Sequence, residues 1–184
     1  MTLTVAISGK HGAGKSTIAK AIADKFKLRY VCAGMIFRQI AEDRGISLSE
    51  LSNIAEHNSS IDREIDERTV KEAAKGNVVI DAYIAGWVAR KYADLKIYLR
   101  APLEVRVRRM AQRDGRRFEE VLEETRIREE SQQRRFQDFY GIDVTNLQLF
   151  DLVINTETWN EKATITICIE AVKAYHKSSA TTKG

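Results

Sequence analysis

Proline is nearly absent: Pro102 is the only one in 184 residues. No linker, internal repeat or low-complexity block interrupts the chain. That excludes an array of modules on flexible spacers, and one domain over residues 1–184 is expected. Cysteine is almost as scarce. Cys32 and Cys168 stand far apart, which excludes a disulfide framework and the paired spacing of a zinc site. Long apolar runs are missing too, none approaching the ~20 residues that span a bilayer. The N-terminus lacks the basic, apolar, small-residue order of a leader, so the expected location is the cytoplasm, away from any membrane. Charge of one sign is also lacking. Lys and Arg number 30 against 26 Asp and Glu, a net charge of +4. So mild a surplus suits an anionic small ligand as well as a nucleic acid, and does not choose between them.

What is present is a 43% hydrophobic chain with enough residues for a real core. Short β-rich runs end at Ser8 (from Leu3), Cys32 (from Leu28), Asp81 (from Asn77), Leu99 (from Leu95) and Asn155 (from Leu152). Helical periodicity predicts helices over Ser16–Lys27, Met35–Arg44, Leu48–Glu56, Ile61–Ala74, Leu103–Arg113, Phe118–Tyr140 and Glu161–His176, with a short one at Gly86–Arg90. Pro102 sits where a helix begins, at a position that needs no N–H. Strands alternating with helices predict an α/β fold, a parallel sheet with helices on both faces. The tail, residues 177–184, is polar and expected to be flexible. The charged stretch Asp114–Arg117 and the helices after the second strand are expected flaps.

The strongest signal is GKHGAGKS, Gly9–Ser16. It fits G-x-x-x-x-G-K-[ST], a pattern that chance yields in about one chain in 150 of this length. Here it also lies between a strand and a helix, as its mechanism requires. Gly9, Lys10, His11, Gly12, Ala13 and Gly14 let backbone N–H groups ring a phosphate. Lys15 reaches the outer phosphates, the Ser16 hydroxyl ligates Mg²⁺, and Thr17 lies near the α-phosphate. The positive end of the following helix points at the same anion. His11 is expected as an exposed side chain. The expected donor is thus ATP with Mg²⁺.

Asp81 ends the third strand, where a carboxylate holds the metal through water. Ala82 follows, where many hydrolytic relatives of this loop place a water-activating Glu. The absence favours transfer to a bound acceptor over hydrolysis. In CAGMIFR, Gly34 admits a ligand to the backbone and Arg38 offers a fork for a phosphate. Between Arg100 and Arg135 eleven arginines are mixed with carboxylates. Leu103, Val107, Met110 and Ala111 form the stripe expected to be buried; Arg106, Arg109 and Arg113 form another, aimed elsewhere. Arg128 and Arg135, seven apart, share a face. The mixed signs fit a solvated surface or a closing lid better than a nucleic-acid track.

These motifs, with SNIAEHNSSIDREID, IAGWVARKYADLKIYLRAPLEVR, IREESQQRRFQDFYGID and FDLVINT, resemble the archaeal-type cytidylate kinases among the nucleoside monophosphate kinases. The resemblance runs from about Thr4 to Thr156. It implies a P-loop fold with a five-stranded parallel sheet, an acceptor-binding insert (about 34–75) and a lid (about 112–126). It implies Mg²⁺-ATP-dependent conversion of CMP, and dCMP, to the diphosphate by a monomer that needs no nucleic acid. Lys15, Arg109, Arg113, Arg128 and Arg135 are then the expected catalytic groups. Gly34, Arg38, Asp81 and Gly86 are the expected acceptor groups. Ser16 and Asp81 hold the metal, Asp81 through water. Three positions depart from the pattern: Met35 where relatives often carry Asp, Cys32 where serine is common, and Tyr83 where an arginine often meets the acceptor phosphate. The rivals are an adenylate or UMP/CMP kinase and, in another class, an RNA-binding P-loop ATPase. The Asp-Gly-aromatic-Pro-Arg run usual in adenylate kinases is absent from DAYIAGW.

Overall fold

The first strand, β1 (Thr4–Ser8), is buried at every position because both its faces are covered. Val5 and Ile7 point to one side of the sheet, Ala6 to the other. The computed structural model describes residues 2–181. After β1 come α1 (Lys15–Phe26), β2 (Arg29–Cys32), α2 (Ala33–Asp43), α3 (Leu48–His57), α4 (Ser60–Ala74), β3 (Val78–Asp81) and α5 (Ala85–Val88). Then follow β4 (Leu95–Arg100), α6 (Leu103–Asp114), α7 (Phe118–Tyr140), β5 (Leu152–Asn155) and α8 (Glu161–Thr181). The five strands are parallel in the order β2-β3-β1-β4-β5. Strand order runs outward both ways from β1, so a crevice opens at the carboxyl ends of the strands, beside the loop that leaves β1.

One face of the sheet carries Val5, Ile7, Val79, Ile97, Leu99 and Ile154 against Ile18 and Ile22 of α1 and Cys168 and Val172 of α8. The other carries Ala6, Val78 and Ile80 against Ala73 of α4 and Ala85 of α5. Two helical units have apolar clusters of their own. Ile36, Ile40, Leu51 and Ile61 knit α2, α3 and α4, and Val107, Ala111 and Val121 knit α6 to α7. The expected flap at Asp114–Arg117 is a tight turn. Gly115, at φ 64°, stops α6, and Arg116 pairs with Glu124 at 2.6 Å. Helix α8 outruns its expected end at His176, because no glycine or proline stops it before Gly184. The tail expected to be flexible is therefore helical to Thr181, and its last residues, 182–184, lie outside the described residues. Among the described residues no helix is long and apolar enough to cross a membrane.

Candidate active site

The loop Gly9–Gly14 turns back on itself through Gly9, Gly12 and Gly14, at φ 141°, 78° and 91°. It delivers the chain into α1 with no side-chain cap and no acidic residue in the first turn. The free N–H groups and the helix dipole are left for an anion. A cleft of ≈ 500 Å³ opens there. Residues His11–Ile18 form one wall; Arg109, Met110 and Arg113 of α6, Arg128 of α7, and Thr156, Trp159 and Thr164 form the others. All loop residues from His11 to Thr17 thus border one space. Lys10 is outside that lining and pairs with Glu129 at 3.1 Å.

Lys15 is half-buried and its Nζ donates to the carbonyl of Lys10 at 3.1 Å. Burial lowers its pKa, Asp81 opposes the shift, and Arg106 and Arg128 lower it further. His11 departs from expectation. It is half-buried, with Nε2 3.2 Å from Gln132 Oε1 of α7 and its ring 6.1 Å from that of Tyr83. Burial, helped by Arg128 and Lys15, takes its pKa to about 3. It stays neutral at physiological pH and adds no charge to the cleft.

Ser16 Oγ donates to Asp81 Oδ2 at 2.6 Å, and the Tyr30 hydroxyl donates to the same oxygen at 2.9 Å. Burial raises the pKa of that phenol, with the Asp81 charge and hydrogen bond adding to the shift. A hydroxyl and a buried carboxylate in contact, with Lys15 alongside, form a hard oxygen donor set of the kind Mg²⁺ takes.

The arginines separate in space. Arg109 donates to Thr156 Oγ1 at 2.9 Å and to the Thr156 carbonyl at 2.6 Å, so it is fixed to the segment after β5. Arg113 pairs with its neighbour Asp114 at 2.7 Å. Arg128 is exposed on the cleft. One face of α7 further on, Arg135 pairs with Asp62 of α4, and its Nε is buried without a partner. The seven-residue spacing therefore reaches from the donor cleft to the α2–α4 unit. Gly34 and Arg38 lie exposed at the start of α2.

Two further expectations are corrected. Arg106 is not on an outward stripe; it is 3% exposed and paired with Glu129. The wheel that places Arg109 and Arg113 outward fails there because α7 covers that turn. Gly86 does not reach an acceptor surface. It is buried, its N–H donates to Ser8 Oγ at 2.8 Å, and an added Cβ would lie 2.4 Å from the Phe150 ring. That ring is wedged against Trp87 and Tyr98, with centroids 4.7 and 5.0 Å away. Gly86→Ala should therefore destabilise the fold by about 1–3 kcal/mol. Urea unfolding should show the lower midpoint, with the KM of each substrate unchanged; a raised KM for the acceptor would restore Gly86 to the site.

Sequence reasoning missed Tyr30, Glu129, Gln132, Thr156 and Trp159. Glu129 and Gln132 lie in IREESQQRRFQDFYGID and Thr156 in FDLVINT, but nothing in local spacing marks a long-range partner. Tyr30 reads as an ordinary strand tyrosine until β2 is seen beside β3, in register with Cys32 opposite Asp81.

The parallel sheet, the glycine loop at its switch point and the Ser16–Asp81 contact define a P-loop nucleotide-binding protein of the small kinase type. Residues 4–158 match the Cytidylate kinase-like family, and the chain belongs to that family. It is 49% identical to a cytidylate kinase of Staphylothermus marinus, over 95% of this chain and 99% of that one. It is 50% identical to one of Ignicoccus hospitalis, over 90% and 95%. Among solved structures it resembles a shikimate kinase of Bacteroides thetaiotaomicron, with TM-score 0.63 and 17% identity over 94% of this chain and 99% of that one. That likeness speaks for the fold alone.

Proposed function

We infer that the chain is a cytidylate kinase, moving the γ-phosphoryl of ATP to CMP and, by the same chemistry, to dCMP. The observation that carries this is near full-length identity of about half to archaeal cytidylate kinases, with coverage of 99% of the first. The site supports it. Residues 11–17 hold the triphosphate, with Gly9 and Lys10 shaping the loop that carries them, Lys15 meets its outer oxygens, and Arg109, Met110 and Trp159 form the wall for the donor base. Ser16 and, through water, Asp81 are the residues to hold Mg²⁺. When bound, the ion would supply positive charge that offsets the charge on the transferred group.

The α2–α4 unit, within the insert at about 34–75, receives the acceptor. Arg38 and Arg135 clamp its phosphate, Arg135 reaching the unit from α7 beside Asp62 of α4. The α6–α7 hairpin, with its tip within 112–126, is the lid, and brings Arg113 and Arg128 over the transferring phosphoryl. Gly34 lines the acceptor approach. Tyr83 replaces no arginine in function: it is 7% exposed and packs on Phe136 at 5.3 Å. Met35, 41% exposed, offers no metal-ordering carboxylate. Asp81 is left as the carboxylate beside Ser16.

The acceptor phosphate is its own nucleophile. Its second pKa of roughly 6 leaves it ionised at neutral pH, so transfer needs no general base. The chain positions the two phosphates in line, offsets their repulsion with Lys15 and the arginines, and excludes water as the lid closes. Action as a monomer is the expected state. The expected partners are the two nucleotides. Ion pairing of Arg106, Arg113, Arg116 and Arg135 with carboxylates speaks against a one-signed RNA track.

The test is direct. The pure protein is incubated with Mg²⁺-ATP and, separately, CMP, dCMP, UMP, AMP and GMP, and the products are chromatographed. CDP and dCDP should form. Preference for AMP would move the chain to the adenylate kinases. ATP hydrolysis with salt-sensitive RNA binding and no diphosphate product would favour the ATPase.

A further inference from the structure

The phosphoryl-transfer scheme leaves one buried ion pair without a task. Arg106 of α6 is 3% exposed and Glu129 of α7 8%. Charges this far from water are costly unless their donors and acceptors are met. Here they are met in a directional way. Two nitrogens of Arg106 fork onto the Glu129 carboxylate. Its Nε donates to the Ala101 carbonyl at 3.0 Å, and its Nη1 also donates to the carbonyl of His11 at 2.9 Å. The Oε2 of Glu129 lies 3.1 Å from Lys10 Nζ. Two helices grip two consecutive residues of the glycine loop.

Peptide geometry turns that grip into an orientation. In a trans peptide the C=O and the following N–H point opposite ways in one plane. The guanidinium on the His11 carbonyl therefore turns the Gly12 N–H to the other side. His11 and Gly12 border the cleft, whereas Arg106 does not. The preceding carbonyl, of Lys10, is drawn off by Lys15 Nζ. Gly12 itself is there because α6 comes so close: an added Cβ would lie 2.6 Å from the Arg106 carbonyl oxygen.

We propose that Arg106 and Glu129 are positioning residues for the donor, holding the His11–Gly12 peptide with its N–H aimed at the triphosphate. They thereby couple the packing of α6 on α7 to ATP affinity. The inference rests on the reading of residues 9–17 as the donor site. It makes the lid helices part of the loop's scaffold as well as its cover.

Two variants of the full chain test it: Arg106→Lys, which keeps the charge and loses the fork, and the double variant Arg106→Met/Glu129→Leu. Mg²⁺-ATP binding is measured by calorimetry, and the KM of each nucleotide by initial rates. Both variants should raise the Kd and KM for ATP about tenfold, the worth of one charge-assisted contact. The KM for CMP should stay where it was. The double variant removes both charges together, so none is left buried alone and it should fold, with a modest drop in melting temperature from the Ala101 and His11 carbonyls that lose their donor.

The double variant distinguishes the roles. A pair that only holds helices together would be replaced without loss of ATP affinity, and that result would overturn the proposal. A parallel rise in both KM values, or a double variant that does not fold, would overturn it too. If Arg106→Lys alone does not fold, the double variant decides. ATP binding is read without the acceptor. A wild-type protein that binds ATP but makes no CDP would sink the kinase reading and leave this test standing.

Discussion

Lys15→Ala lowers kcat by about 10²–10³-fold, the usual loss when one preorganised charged donor is removed from a transferring group, and leaves the fold intact. The ammonium sits between the loop carbonyl of Lys10, at 3.1 Å, and the charge of Asp81. In the proposed reaction it is the cleft-lining ammonium of the loop, placed to follow negative charge from the γ-phosphate into the transition state. Stability should not suffer. Burial holds the folded pKa of Lys15 below its ordinary value. A lowered folded pKa marks a cost of burying the ammonium, and alanine removes that cost. Alanine is also the best residue for the first turn of α1. Initial rates at saturating ATP and CMP, beside a thermal melt, check both halves. A folded variant within a few-fold of wild-type turnover would remove Lys15 from the chemistry and with it the reading of the loop.

Gly9→Ala has the largest expected effect on stability. Gly9 leaves β1 at φ 141°, and an added Cβ would lie 2.2 Å from the carbonyl oxygen of Leu99. Neither partner can yield easily. Leu99 is in β4, hydrogen-bonded between β1 and β5, with Ile7 opposite Ile97 and Leu99 opposite Ile154. The N–H of Gly9 is itself bonded to the Tyr83 carbonyl at 3.2 Å. Backbone strain of about 1–3 kcal/mol and overpacking of about 1–3 kcal/mol add to roughly 2–6 kcal/mol, a large part of a small domain's stability. Urea unfolding should show a much lower midpoint, with ATP binding lost in whatever fraction folds. A midpoint like that of the wild type would mean that the loop relaxes around the methyl group.

The glycine loop proposed as the donor site was legible because it is local. Gly9 to Thr17 are contiguous, and glycine, lysine and hydroxyl do their work through backbone geometry and reach within two turns of chain. The strands were legible for a related reason: both faces are covered, so VAIS, VVID and LKIYL read as plain apolar runs. Helix ends came within a few residues except in α8, where a polar tail simply continues the helix.

The sequence by itself determined the fold class, the glycine loop and the family, because each rests on short-range pattern or on motifs in fixed order. Only the tertiary structure decided which charges border the cleft. Arg106 and Arg109 stand on the same helix three residues apart, and the wheel treats them alike. Packing buries the first against Glu129 and leaves the second on the cleft with Thr156. Gly86 looked like a ligand-facing glycine and is a seat for Phe150. Tyr30 acquires its place only when β2 pairs with β3 and brings its hydroxyl to Asp81. A side chain's partner across 20 to 90 residues depends on which elements pack together. Helical or strand periodicity carries no record of that choice.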